Sequence, residues 1–395
     1  MRFNTELAHQ IAHVDSPRDK ARYFEGREEE ITLFKYGLQS AMAREQAIFR
    51  IYQGAPGCGK TSLAAHLAET NESAVFINVR HHHMVDFPAL MARIKNAASQ
   101  QGGQYAATAV RWTAIAIERL AGRALSEKLR KDAEELSTEG LRFVLHVDEA
   151  HSLPDSALDV LKDLHIGGLG EADQIPCVVL LTGLAHAKRH INGYSGLTRA
   201  GDAGTYDMSA MTPGECAAST TRMLEELRCE ASMESRQMLA DETARWSYGW
   251  PRHLWSVHKA ICEALLDAKG NLQAVSFKQI ENRCAELRSE YYVDRLNDIK
   301  APSDPDLTKR IVAQIAKAPP HYSHRALKAL CVNEAKRLWQ SDEDFDGKGT
   351  TDELIENGIV EAKDGVWSLS IPSMGAWAEH QLLRAASTPL QNANR

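Results

Sequence analysis

The chain has no run of 18 apolar residues, no CxxC pair and no internal repeat. The first absence excludes a membrane-spanning helix and with it a membrane partner. The second leaves seven cysteines standing singly, which argues against a disulfide or zinc framework and for a reducing compartment. An excess of basic charge is also missing. The formal net charge is −7, so the total shows no broad nucleic-acid surface, although a local patch is not excluded by it. The opening stretch MRFNTELAHQIAHVD lacks an apolar signal core, and the expected location is the cytoplasm.

What is present fits a globular protein of more than one core. At 395 residues, two or three domains are expected. Residues 1–22 read as a polar lead-in. From residue 23 the chain alternates apolar runs with helical stretches. The runs QAIFRIYQG (46–54), SAVFINVR (73–80), LRFVLHVDEAH (141–151), IPCVVLLTGL (175–184) and GTYDMSAM (204–211) read as five strands. Residues 86–139 read as mostly helical. Strand–helix alternation implies an α/β fold, a five-stranded parallel sheet covered by helices.

The pattern changes near residue 213. Thr212 and Pro213 form a helix cap and first-turn pair, and helical stretches follow to about 298. APSDPD (301–306) reads as a linker. Beyond it come helices over 307–318, 323–340 and 351–357, then a hairpin centred on Asp364-Gly365. Helix–helix–helix–hairpin is the order of a winged helix. The expected domains are therefore 23–212 (α/β), 213–300 (helical lid) and 301–386 (winged helix), with a tail at 387–395.

Between the first strand and the next helix lies Gly54-Ala55-Pro56-Gly57-Cys58-Gly59-Lys60-Thr61-Ser62. The spacing G-x4-G-K-T is that of a phosphate loop. Its glycines let backbone N–H groups point inward at a phosphate, and the following helix adds its positive N-terminal end. Lys60 is expected at the β- and γ-phosphates and Thr61 on Mg²⁺. At the end of the third strand stands Asp148-Glu149. Behind a phosphate loop, the Asp is expected to hold Mg²⁺ and the Glu to polarise the attacking water. Cys58 is expected to pack.

With these pieces the chain resembles the AAA+ ATPases, specifically the branch with origin-recognition, transposition-regulating and STAND signalling ATPases. The resemblance covers about residues 23–300. FEGREEEI matches the GREEE motif that lies near the adenine pocket in such proteins, which implicates Gly26 and Arg27. VVLLTGL puts Thr182 at the sensor 1 position, where a hydroxyl holds the attacking water. YGWPRHLW resembles the lid stretch GGxPRxL and makes Arg252 the sensor 2 residue. SGLTRAG puts Arg199 where an arginine finger often sits, with Arg189 as a competitor. The resemblance implies ATP hydrolysis with Mg²⁺ and a homo-oligomer, because a finger acts on a neighbouring subunit. Two outputs follow: a DNA transaction as in replication initiation or transposition, or a STAND-like switch working with a protein partner, its winged helix an internal clamp.

His81-His82-His83 reads as a solvated loop. Asp342, Asp344, Asp346, Gly347 and Glu353 fit the spacing of a calcium loop, but Gly349 stands where an apolar residue is usual, and the bland reading is an acidic loop between helices. For DNA binding, the C-terminal module offers Arg325, Lys328, Lys336 and Arg337. Residues 301–395 nonetheless hold eleven Lys/Arg against thirteen Asp/Glu, which weakens that expectation.

Overall fold

The computed structural model describes residues 2–13, 21–44, 47–71, 74–80, 142–166, 177–200, 202, 204–300, 304–317, 323–339, 345–363 and 366–387. The expected helical region 86–139, the histidine run 81–83 and the hairpin tip Asp364-Gly365 lie outside them. The chain divides into two compact units. One holds residues 15–54 and 59–209, and the other holds 1–14, 55–58 and 210–395.

The first helix, α1 (Thr5–His13), belongs to the second unit. The central unit follows with α2 (Glu28–Arg44), β1 (Ile48–Gln53), α3 (Lys60–Thr70), β2 (Ala74–Arg80), β3 (Arg142–Asp148), α4 (Asp155–Ile166), β4 (Cys177–Gly183), α5 (Ala187–Asn192) and β5 (Thr205–Asp207). All five strands pair in parallel, in the order β2-β3-β4-β1-β5. Strand β4 lies inside the sheet and is buried at every residue, which is why it reads as a continuous apolar run.

Register decides where the chemistry falls. Val147 of β3 stands beside Leu181 of β4, and Tyr52 of β1 stands beside Thr182. The carboxyl ends of three adjacent strands therefore come level, and parallel connections leave the loops that follow them at one edge of the sheet. Tyr52 is fully buried, and its hydroxyl donates to the Glu30 carbonyl at 2.7 Å, which ties α2 to β1. The fifth strand is shorter than the run 204–211 suggested. Among the described residues it pairs with β1 alone, over three residues, at the edge of the sheet.

The second unit continues with α6 (Pro213–Leu227), α7 (Met233–Ser247), α8 (Pro251–Asp267) and α9 (Phe277–Asn297). Thr212 caps α6 as its sequence predicts. Its hydroxyl accepts from the Glu215 N–H at 3.2 Å, and the Glu215 carboxylate accepts from the Thr212 N–H at 2.5 Å. The stretch read as a polar lead-in instead carries α1, which packs on α8 with Leu7, Ala8, Ile11 and Ala12 buried. Its apolar residues are too few to stand out, since a nine-residue helix shows barely two turns of pattern.

The C-terminal part of this unit holds α10 (Pro305–Lys317), α11 (His324–Trp339), α12 (Gly347–Glu356), β6 (Val360–Lys363), β7 (Val366–Leu369) and α13 (Ser373–Ser387). Strands β6 and β7 form an antiparallel hairpin, with Lys363 opposite Val366. Helix α9 is fastened to this module. The Tyr292 and Ser373 hydroxyls bond at 2.7 Å, and the Trp377 indole donates to the Ser289 hydroxyl at 2.9 Å.

Helix α12 starts four residues earlier than expected, and this removes the calcium-loop geometry. Asp346 is its N-cap, accepting from the Gly349 N–H at 2.9 Å. Gly347 is helical, and the Glu353 carboxylate accepts from the Lys300 N–H at 3.0 Å. Asp342 and Asp344 lie outside the described residues.

Gly249, at φ +69, follows Tyr248, the left-handed C-cap of α7, and a Cβ there would overlap the Met211 carbonyl oxygen. Gly249→Ala should cost about 1–3 kcal/mol, read as a lower denaturation midpoint. His253 and His258 are both buried, and burial pushes each down to about 3. In the unfolded chain histidine titrates near ~6.5. Between those values the unfolded chain binds protons that the native unit does not. Stability should therefore be full above about pH 6.5 and fall steadily on acidification toward pH 3. Denaturant midpoints measured across this range check it, and His258→Gln should flatten the slope.

Candidate nucleotide site

In the central unit, β1 runs into Gly54, and α3 begins at Lys60 with Gly59 as its left-handed N-cap at φ 96. No side chain caps this helix end, so its first N–H groups face a ligand position. Lys60 Nζ donates to the Gly54 carbonyl at 2.8 Å, which places the ammonium across the mouth of the loop. Ser62 lies in the first turn of α3.

Next to this helix end stands Asp148, at the end of β3. Its Oδ2 lies 3.3 Å from the Thr61 hydroxyl. Its Oδ1 accepts from the Thr182 hydroxyl at 2.6 Å and from the Glu149 N–H at 3.1 Å. A hydroxyl and a carboxylate oxygen side by side are hard oxygen donors of the kind Mg²⁺ takes, so the residues fit that ion. Thr182, expected to hold a water, is instead fully buried and bonds directly to Asp148. Behind it His146 Nε2 lies 2.9 Å from the Thr182 hydroxyl, and Nδ1 lies 2.8 Å from the Asn78 side chain. Burial holds His146 below the usual histidine range, so it is neutral at pH 7.

Glu149 follows in a left-handed conformation at φ 59, ψ 36. For a glutamate this costs about 1–3 kcal/mol, and such strain concentrates where a side chain must be aimed. Its side chain is 58% exposed and lies 3.5 Å from His151 Nε2. His151 Nδ1 accepts from the Leu184 N–H at 3.3 Å, so the ring hydrogen is on Nε2, facing Glu149. Burial, His186 and Lys60 push His151 down to about 4. It meets Glu149 as a neutral donor.

The middle of the phosphate loop, Ala55–Cys58, clusters with the second unit, where α8 and α9 hold it. The Pro56 carbonyl accepts from the Trp250 indole at 3.0 Å and the Tyr291 hydroxyl at 3.2 Å. The Arg252 N–H donates to the Gly57 carbonyl at 3.0 Å. Gly57 sits at φ +77, and a Cβ there would come 2.8 Å from Arg252 Cβ. Cys58 is buried, as its packing role requires. The Arg252 guanidinium lies over the Tyr291 ring, 5.7 Å from its centroid.

The remaining predicted residues sit elsewhere in the central unit. Gly26 and Arg27 both have positive φ, 76° and 65°. Arg27 is buried, and its guanidinium bonds to Glu30 and the Ser209 carbonyl. That ties the turn before α2 to the end of β5. Phe24 beside them stacks on His66 at 4.6 Å. Arg189 on α5 and Arg199 after it are exposed. Sequence reasoning missed His146, Asn78, Trp250 and Tyr291. A histidine two residues before Asp148, inside an otherwise apolar strand, was the available signal for the first.

A parallel sheet ordered 2-3-4-1-5, a glycine-rich loop after β1 and an acidic pair after β3 define a phosphate-loop nucleotide-binding protein. Residues 44–190 match the family model described as an AAA domain. The fold agrees. The Walker-type ATPase of Pyrococcus abyssi matches at TM-score 0.57 and 13% identity, covering 90% of this chain and 96% of its own. The ORC2 protein of Aeropyrum pernix, in ADPNP-ADP complexes, matches at TM-score 0.54 and 13% identity over 92% of this chain and 96% of its own. Its ADP form gives TM-score 0.54 over 92% and 95%. No curated protein matches the chain by sequence.

Two donors share one carbonyl, and losing both leaves its oxygen without a partner among them. Trp250→Phe and Tyr291→Phe should each cost about 0.5–1.5 kcal/mol. The double variant should lose more than the sum, because Pro56 is then left without either donor. Denaturation midpoints of the four proteins in a double-mutant cycle test this.

Proposed function

We propose that this protein is an AAA+ ATPase that binds ATP with Mg²⁺ and hydrolyses it to ADP and phosphate, acting as a homo-oligomeric switch in a DNA transaction. The observation that carries the reading is the placement of Asp148 between the Thr61 hydroxyl and the strained Glu149. The loop N–H groups and the start of α3 cradle the phosphates, and Lys60 leaves the Gly54 carbonyl to meet their charge. Thr61 and Asp148 hold Mg²⁺, which neutralises charge on the phosphate oxygens when bound. Glu149 takes a proton from the attacking water as the bond to the leaving ADP breaks. Arg252 reports the γ-phosphate to the helical region 213–300, as in the family. Arg199 or Arg189 reaches a neighbouring subunit's nucleotide. Gly26 and Arg27 shape the base-proximal turn rather than donate to the base. Among the described residues no helix is long and apolar enough to cross a membrane, and the proposed location is the cytoplasm.

DNA is the favoured partner because the Orc-like fold spans nearly the whole chain, and its C-terminal module has three helices, a hairpin and a further helix. A second reading, a switch acting on a protein partner, draws on the bonds that fasten the C-terminal module to α9, as an internal clamp would require.

Lys60→Ala should abolish nucleotide binding by calorimetry. Glu149→Gln should bind ATP and turn over about 10²–10⁴-fold more slowly. Retained hydrolysis in Glu149→Gln sinks the assignment of the base. ATPase rate and particle mass, measured with and without duplex DNA at two salt concentrations, separate the outputs. DNA-stimulated, salt-sensitive turnover with assembly is expected. Assembly that responds only to a protein partner favours the clamp.

A further inference from the structure

The side chains behind Asp148 form a directed chain. The Thr182 hydroxyl has one hydrogen, and at 2.6 Å from Asp148 Oδ1 it is committed to that carboxylate. Its oxygen can then only accept from His146 Nε2, 2.9 Å away, so His146 carries its hydrogen on Nε2. The Nδ1 lone pair must in turn receive a donor, and 2.8 Å away stands the Asn78 amide. The atom placed there is Asn78 Oδ1, and a half-turn of the amide, which exchanges oxygen and nitrogen, turns the NH₂ to the ring as the chain of donors requires. Each donor therefore points the same way, Asn78 to His146 to Thr182 to Asp148. With the Glu149 N–H, the chain saturates Oδ1 and leaves Oδ2 beside the Thr61 hydroxyl at 3.3 Å.

Resting on the ATPase reading above, we propose that His146 is a positioning residue. Through Thr182 it fixes the Asp148 carboxylate so that one oxygen, Oδ2, is presented to the metal. Thr182 acts by the same route. It is fully buried between its two partners, so it orients the carboxylate rather than a water. An apolar residue would fill the same sheet position without this effect. The histidine is there because the hydroxyl needs a donor behind it to keep its own hydrogen turned toward Asp148.

The first test needs no turnover. In the nucleotide-free protein, ¹⁵N spectra of histidine should show His146 as the neutral Nε2–H tautomer, assigned by its loss in His146→Gln. An Nδ1–H tautomer overturns the proposal. The second test reads the metal. In His146→Leu the Mg²⁺ concentration for half-maximal ATP turnover should rise about 10–100-fold, with ATP affinity in EDTA unchanged. His146→Gln, whose amide nitrogen reaches the place of Nε2, should return it to within a few-fold of wild type. Thr182→Val should reproduce the leucine defect, which covers a failure of His146→Leu to fold. A wild-type Mg²⁺ requirement in His146→Leu, or equal defects in the leucine and glutamine variants, overturns it. If the wild-type protein hydrolyses no ATP, the ATPase reading fails, and the tautomer still decides the role of His146.

Discussion

The site depends on one carboxylate. Asp148 is touched by a hydroxyl from the helix after the phosphate loop, a hydroxyl from the end of β4 and the backbone of its own neighbour. The parallel register of β3 and β4 makes this convergence unavoidable, because it brings Val147 level with Leu181 and so sets the next residues, Asp148 and Thr182, together. A slip of one residue would turn Thr182 to the opposite face of the sheet and leave a buried hydroxyl without its partner.

Around this point the molecule combines rigid and strained parts. The histidine and threonine behind Asp148 are closed off from water, so their hydrogen bonds are strong and hard to rearrange. Glu149, one residue further on, is exposed and held in a left-handed conformation. Adjacent residues thus differ in freedom, a fixed carboxylate beside a side chain that can be re-aimed. The phosphate loop shows a similar contrast. Its ends, Gly54 and Gly59–Lys60, cluster with the sheet, and its middle clusters with the helices that carry Trp250, Arg252 and Tyr291. A loop held at its carbonyls keeps its N–H groups available for an anion.

The strongest sequence signals were those set by local chemistry. The phosphate loop needs glycines at fixed spacing, and the capping of α6 by Thr212 and Glu215 is complete within four residues. The five strands were legible because buried parallel strands are apolar without interruption. Weaker signals failed for equally physical reasons. Helix α1 is short, and its apolar residues acquire meaning only against α8. The acidic run ending in Asp346 has calcium-loop spacing, but one aspartate at a helix N-cap absorbs it into α12.

Sequence by itself determined the phosphate loop, the acidic pair Asp148-Glu149 and the parallel α/β layout, because each follows from residue type and spacing over short stretches. Tertiary structure alone decided what Thr182 touches, that His146 stands behind it, and that Pro56 is gripped by residues nearly two hundred positions or more away in the chain. These are contacts between segments far apart in sequence. Their partners are chosen by strand order and helix packing, which no single stretch of residues encodes.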